Sequence, residues 1–156
     1  MAAMESVEGC LACDLASGRL KLPGGRIHET EFWIVEHCFG PLGVGTLLVK
    51  PKRHVVSVGA LTADEAAEMG PLLQRSAAIV DDIVGPEQVY IGLWSHAGRP
   101  RVHVHFVVQP ATTAAIDGAG GYGPRLQVEM FDAGIMPPVD EVEVFSARAR
   151  RAFADA

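Results

Sequence analysis

Apolar positions recur at helical spacing through the middle of the chain. Between Ala63 and Val84 the predicted buried stripe consists of Ala66, Met69, Leu73, Ala77, Val80 and Val84. Thr62 followed by Glu65 has the form of a capping box, which predicts where the helix begins. Pro71 lies inside the stripe and predicts a kink or a break. The pattern therefore indicates one long helix, interrupted near its middle.

Shorter apolar runs on both sides of this helix predict strands. We expect strands at 26–29, 32–38, 46–49, 88–94 and 101–108. The last two flank a short loop and are expected to pair as an antiparallel hairpin. A glycine-rich stretch at 111–137 is expected to be a flexible loop, and 138–156 a C-terminal helix. The sequence thus predicts a single α+β domain over 1–156, with its core at about 10–110 and an antiparallel sheet of about five strands.

Composition limits the function classes. The 156 residues include 13 basic and 19 acidic side chains, for a net charge of −6, and 49% are hydrophobic. This balance argues against a nucleic-acid partner, which would need clustered Lys and Arg, but allows a small phosphate-bearing ligand. The sequence lacks an apolar run long enough to span a membrane, and its first residues lack a signal pattern, so we expect a cytoplasmic protein.

Two histidines in the last predicted strand are candidates for chemistry. Alternate residues of a strand share a face, so His103 and His105 are expected to point the same way and to reach one ligand together. Residue types alone leave open that they are two solvent-exposed histidines without a catalytic role.

The cysteines suggest a metal or plain burial rather than disulfides. The chain has three cysteines, an odd number, and the cytosol keeps thiols reduced. Cys10 and Cys13 form a Cys-x-x-Cys pair that can supply two thiolates to one tetrahedral ion. Cys38 is expected to be a small buried apolar side chain.

Taken in order, these motifs resemble the histidine triad family of nucleotide hydrolases and transferases. Its signature is His-x-His-x-His followed by two apolar residues, and the segment Arg101-Val-His-Val-His-Phe-Val-Val is similar, with Arg101 in the place of the first histidine. Cys10-Leu-Ala-Cys13 and the segment Gly-Val-Gly-Thr-Leu-Leu-Val-Lys-Pro-Lys-Arg-His54 also match the family's pattern. The resemblance implies a histidine-triad-like α+β fold and, usually, a homodimer.

The resemblance also implies roles for individual residues. The middle histidine of the family attacks the α-phosphorus, which places the nucleophile at His103, with His105 donating to a phosphate oxygen. Ser95 and His96 are expected to contact the phosphate or the leaving group, and Arg101 to bind phosphate or lie at the surface. Glu36 or His37 falls near the family's sugar-binding acid, and Gln109-Pro110 stands where the family usually has Pro-Arg.

Zinc-bearing relatives imply a structural metal site. The resemblance assigns Cys10, Cys13 and His54 as ligands, while the fourth position falls on Arg101. His96 is one substitute, and a degenerate site without metal is the alternative. No residue pattern indicates an organic cofactor.

The predicted function is cleavage of a nucleotide at its α-phosphate through a covalent nucleotidyl-histidine. The substrate would be a dinucleoside polyphosphate, a nucleoside phosphoramidate or an adenylylated species. The alternative is a nucleotide-binding regulatory protein with little turnover.

Overall fold

One antiparallel sheet organises the computed structural model, which describes residues 6–96 and 102–155. Its strands are β1 (Arg26–Glu29), β2 (Trp33–His37), β3 (Leu47–Pro51), β4 (Gln88–Gly92) and β5 (Phe106–Ala111). Their spatial order is β1-β2-β3-β5-β4, and each neighbouring pair is antiparallel. The predicted α+β class, the five-stranded sheet and the pairing of β4 with β5 are confirmed.

Helices pack against this sheet. They are α1 (Leu11–Ala16), α2 (Ala63–Val84), α3 (Thr113–Ala119), α4 (Pro124–Ala133) and α5 (Val139–Ala154), with a short 3-10 turn at Val58–Ala60. The capping box of α2 is confirmed, because Thr62 Oγ1 accepts from the Glu65 backbone and Glu65 Oε2 accepts from the Thr62 backbone. The predicted break at Pro71 does not occur. Buried side chains on the following turns, such as Leu72 and Ile79, hold the second half of α2 on the sheet.

The two faces of the sheet have different roles. One face forms the main core with α2 and α5, through Trp33, Val35, Leu47, Val49 and Val108 from the strands and Leu72, Ile79, Val80, Phe145, Ala149 and Phe153 from the helices. The opposite face carries the alternate residues of the same strands. At its β4–β5 end α3 and α4 cover it, with Ile116 and Leu126 packed on Ala111. Its β3–β5 part lies beside the candidate site.

Two predicted boundaries are corrected by the structure. β5 begins at Phe106 rather than at residue 101, so the residues immediately before it approach the sheet as irregular chain, and the Val104 N–H donates to the Val55 carbonyl. The stretch 111–137, predicted as a flexible loop, contains α3 and α4. The C-terminal helix lies where it was predicted. No helix in 6–96 or 102–155 is long and apolar enough to cross a membrane.

Candidate functional site

Four side chains from distant parts of the chain converge beside β3 and β5. Cys10 is the N-cap residue of α1, and Cys13 lies in the helix itself. His54 follows β3, and His103 precedes β5. Their sulfur and nitrogen atoms all lie within 4.8 Å of one another. The structure therefore gathers the three predicted ligands into one cluster and adds His103 to it.

The spacing of this cluster suits a tetrahedral metal ion. Cys13 Sγ lies 3.3 Å from His54 Nδ1 and 3.6 Å from His103 Nδ1, and Cys10 Sγ lies 3.9 Å from the same His103 nitrogen. With ordinary Zn–S and Zn–N bond lengths, a tetrahedral zinc ion holds its sulfur and nitrogen ligands about 3.5 Å apart. The donor set and its separations are thus compatible with zinc. His103 is the fourth member of this cluster, whereas in the sequence the fourth position fell on Arg101, with His96 as one substitute and a site without metal as the alternative.

The His103 ring is held in the tautomer that a metal requires. Its Nε2 donates to the Pro51 carbonyl across 2.7 Å, which leaves the lone pair on Nδ1, the nitrogen that faces the sulfurs. Burial is the main cause that lowers the pKa of His103 to about 4, and the neighbouring His54 and Lys50 act in the same direction. A neutral imidazole with its other nitrogen bonded to a carbonyl is the usual form of a metal-binding histidine.

This placement disagrees with the role predicted for His103. The side chain is 1% exposed, and its two nitrogens face a backbone carbonyl and the cysteine pair rather than an open surface. An attacking nitrogen must reach a phosphorus atom at the surface of a site. The geometry therefore groups His103 with the two cysteines and His54, and the predicted role of His103 as nucleophile stays a prediction that this placement does not favour.

His105 has the geometry that was expected of the nucleophile. It is partly exposed, and its Nδ1 lies 3.0 Å from the His103 carbonyl oxygen. A carbonyl only accepts, so Nδ1 carries the proton and Nε2 carries the lone pair. The backbone N–H of His105 donates to Ser95 Oγ across 3.3 Å. These bonds fix both the tautomer and the position of the ring.

The two residues predicted to contact the sugar are buried and paired within the protein. Glu36 Oε2 lies 2.6 Å from Lys50 Nζ, and the two side chains are 7% and 2% exposed. His37 Nε2 accepts from the Gly45 N–H, and its Nδ1 donates to the Cys38 carbonyl. Burial lowers the pKa of His37. The predicted sugar contacts of Glu36 and His37 are therefore not supported, because their polar atoms serve internal bonds.

A cleft opens next to Ser95. It has a volume of about 460 Å³ and is lined by Val56, Ser57, Val58, Leu93, Trp94, Ser95, His96 and Val104. Ser95 and His96, both predicted to contact substrate, thus lie in its wall, and His96 is outside the cysteine cluster. The Trp94 indole N–H donates to Gln127 Oε1, which ties this wall to α4. Arg101 lies outside the described residues, so its predicted phosphate contact stays a prediction.

The site can be compared with known proteins. No protein-family model matches the chain. The adenosine 5'-monophosphoramidase of Schizosaccharomyces pombe is 26% identical to it over 105 residues, which cover 65% of this chain and 74% of that protein. A Hit-like protein of Bartonella henselae involved in cell-cycle regulation has a similar structure, with a TM-score of 0.71, 16% identity, and coverage of 94% of this chain and 97% of that one. A zinc-bound histidine triad family protein of Mycobacterium smegmatis gives a TM-score of 0.68 at 23% identity, covering 94% of each chain. This chain shares the fold of these two solved structures.

Proposed function

We propose that this chain, a member of the histidine triad family, cleaves a nucleotide at the α-phosphate. In this proposal His105 is the nucleophile. The family relationship supports nucleotide hydrolysis in general. The observation that carries the finer proposal is the His105 ring, whose Nδ1 proton is bound by the His103 carbonyl and whose Nε2 lone pair is available for attack.

In the proposed reaction, Nε2 of His105 forms a bond to the α-phosphorus while the bond from phosphorus to the leaving group breaks. The leaving group departs with the bonding electron pair and takes up a proton. Positive charge develops on the imidazole, and the His103 carbonyl stabilises it through Nδ1–H. Water or another acceptor then attacks the phosphorus and loses a proton to solvent, which balances the proton taken up by the leaving group. The P–N bond to His105 breaks, and its electron pair returns to the ring, which is neutral again. Each step displaces one group, which divides a difficult displacement into two easier ones.

Zinc is the metal that we propose for the cysteine cluster, with Cys10, Cys13, His54 and His103 as ligands. When bound, the ion would supply structural cross-linking rather than a reacting group. Fixing the His103 ring also fixes its carbonyl, and that carbonyl orients His105. The cluster would therefore position the nucleophile through the backbone of a neighbouring residue.

The substrate class that we propose is a nucleoside phosphoramidate, as the name of the Schizosaccharomyces pombe relative suggests. Dinucleoside polyphosphates are the second class. A homodimer and a cytoplasmic location stay predictions of the family resemblance.

Nucleotide release tests this proposal. We expect the zinc-loaded protein to release AMP from adenosine 5'-phosphoramidate or from diadenosine tetraphosphate, measured by ion-exchange chromatography over time. A variant of a remote histidine, His28→Ala, should release AMP at the wild-type rate, because His28 stacks on Phe153 away from the cluster. Binding of AMP without turnover of either substrate would instead favour the regulatory nucleotide-binding alternative.

Ser95 gives a second, smaller prediction. Ser95→Ala removes the hydroxyl that accepts from the His105 N–H and leaves that donor without its partner. We expect kcat for AMP release to fall about tenfold, since a lost hydrogen bond of this kind costs about 1–3 kcal/mol. Ser17→Ala is the matched control, because the exposed Ser17 hydroxyl donates to the Asp14 carbonyl and does not line the cleft. If both variants and the wild type release AMP with the same kcat, Ser95 does not contribute to the reaction.

A further inference from the structure

Trp94 is an exposed aromatic side chain that the structure nevertheless holds in place. The residue is 56% exposed, but its indole Nε1–H donates to Gln127 Oε1 across 2.8 Å, and Gln127 on α4 is buried. The same edge of the ring lies over Gly92 of β4, where a Cβ would come within 3.1 Å of Nε1. A glycine inside a strand often marks a place where another group approaches closely. The indole is therefore anchored along one edge, which leaves much of the ring free to contact a ligand.

The cleft beside Ser95 has mostly apolar walls. Trp94, which follows β4, forms part of one wall, and Val56 and Val58, from the segment after β3, line the cleft as well. The two valines are 37% and 40% exposed. None of the lining residues that the structure describes is Asp, Glu, Lys or Arg. A concave surface with apolar walls and a few polar groups is typical of a small-molecule site. The occupant expected from these walls is an apolar group that carries little charge.

This cleft borders on the backbone of the proposed nucleophile. Ser95, whose Oγ accepts from the His105 N–H across 3.3 Å, lies in its wall, and so does Val104, the residue before His105. A phosphoryl group on His105 would therefore have the cleft as its neighbour. A nucleoside would be a poor occupant, because its sugar hydroxyls and base edges need many hydrogen-bond partners, which walls of this kind do not supply. A leaving group with few polar atoms suits these walls better.

We propose that the cleft binds the leaving group and that Trp94 determines specificity by contacting an aromatic or other apolar substituent on it. This inference rests on the proposed function and narrows its substrate class to phosphoramidates of such amines. The bond from phosphorus to the amine nitrogen breaks, and the amine leaves with the electron pair and takes up a proton. Oligophosphate leaving groups are disfavoured, because each carries several negative charges and the described walls contain no Lys or Arg to pair with them.

Two substrates that differ only in the amine test this role. They are adenosine 5'-phosphoramidate and its N-benzyl derivative, and the measured quantity is the ratio of kcat/KM for the N-benzyl compound to kcat/KM for the unsubstituted one. Because the ratio is compared between proteins, the difference in intrinsic reactivity of the two compounds cancels. We expect Trp94→Ala to lower this ratio about tenfold, since the variant lacks the aromatic contact with the benzyl ring.

Variants elsewhere in the cleft and on α4 complete the experiment. Val58→Ser removes part of the apolar wall and should lower the ratio about threefold. Phe131→Ala is the matched control, because Phe131 on α4 is also 56% exposed but does not line the cleft. It should keep the ratio of the wild type. The affinity for AMP, measured by calorimetry on each protein, reports separately on the nucleotide that both substrates share.

The outcomes distinguish this inference from the proposed function. A folded Trp94→Ala protein with the wild-type ratio would overturn the inference alone, and so would AMP that binds this variant tenfold more weakly, because the cleft would then hold the nucleotide. If Trp94→Ala does not fold, a wild-type ratio in folded Val58→Ser would overturn it equally. AMP binding without turnover in the wild type would overturn the proposed reaction, while a tenfold loss in relative affinity for the N-benzyl compound in Trp94→Ala would still support the role of Trp94. A wild type that neither binds nor cleaves these compounds overturns both.

Discussion

Replacing His105 with alanine is expected to lower kcat for AMP release by about 10⁴-fold or more, because the variant lacks the nitrogen that forms the covalent intermediate. Its melting temperature and zinc content should stay close to those of the wild type, since the His105 side chain is partly exposed and lies outside the cysteine cluster. Kinetics, metal analysis and thermal denaturation on the same preparation would measure all three quantities.

His103→Ala is the informative comparison for this experiment. It should reduce zinc content and melting temperature together, because the ring belongs to the cluster and bonds to Pro51. Any loss of turnover would then accompany a loss of stability. Near-wild-type turnover in a folded His105→Ala protein would show that the nucleophile has been assigned to the wrong residue.

Removing a cysteine ligand is expected to have the second large effect. Wild-type protein should contain about one zinc ion per chain, and Cys13→Ser should lose it and melt at a markedly lower temperature. The physical reason is that a metal bound by the folded but not the unfolded chain adds its binding free energy to folding, by an amount on the order of several kcal/mol. Metal analysis by plasma emission and calorimetry with and without a chelator would measure the change.

Cys38→Ala is the matched control for the metal prediction. Burial raises the pKa of the Cys38 thiol to about 12, and this residue is not in the cluster. It should therefore keep the zinc of the wild type. Wild-type protein that is purified without zinc, takes up none on addition and melts unchanged with chelator would contradict the proposed metal site.

Local sequence signals predicted an element well where the same residues cap it or pack it against the sheet in the structure. The capping box at Thr62 and the apolar stripe after it located α2 from end to end. The same reasoning failed for 111–137, since glycines there were interpreted as signs of a loop. Gly120 and Gly134 adopt positive φ values and end α3 and α4. A glycine just after a helix terminates it without preventing it, so a glycine-rich stretch can still contain short helices.

The sequence identified most residues of the candidate site, but it aligned the histidine segment with the triad two residues away from the alignment that we propose. The sequence grouped two thiols with His54, as the cluster does, and it singled out His103 and His105 as candidates for chemistry. Our proposal places the nucleophile two residues later than the sequence prediction did, because that prediction aligned the resemblance with Arg101 as the first member of the triad. Starting instead at His103 makes His105 the middle histidine and Val107 the third position. Only the three-dimensional cluster showed that His103 faces the cysteines, since strand alternation gives both histidines the same face.

The position of the covalent nucleotide tests the central claim most directly. Protein mixed with adenosine 5'-phosphoramidate would be quenched without acid, digested and analysed by tandem mass spectrometry, and fragments that break the chain between His103 and His105 would locate the added nucleotidyl mass. Our account predicts that this mass lies on His105 and is absent from His105→Ala. A nucleotidyl group on His103 or on another residue, or rapid turnover with no adduct at any time, would contradict it.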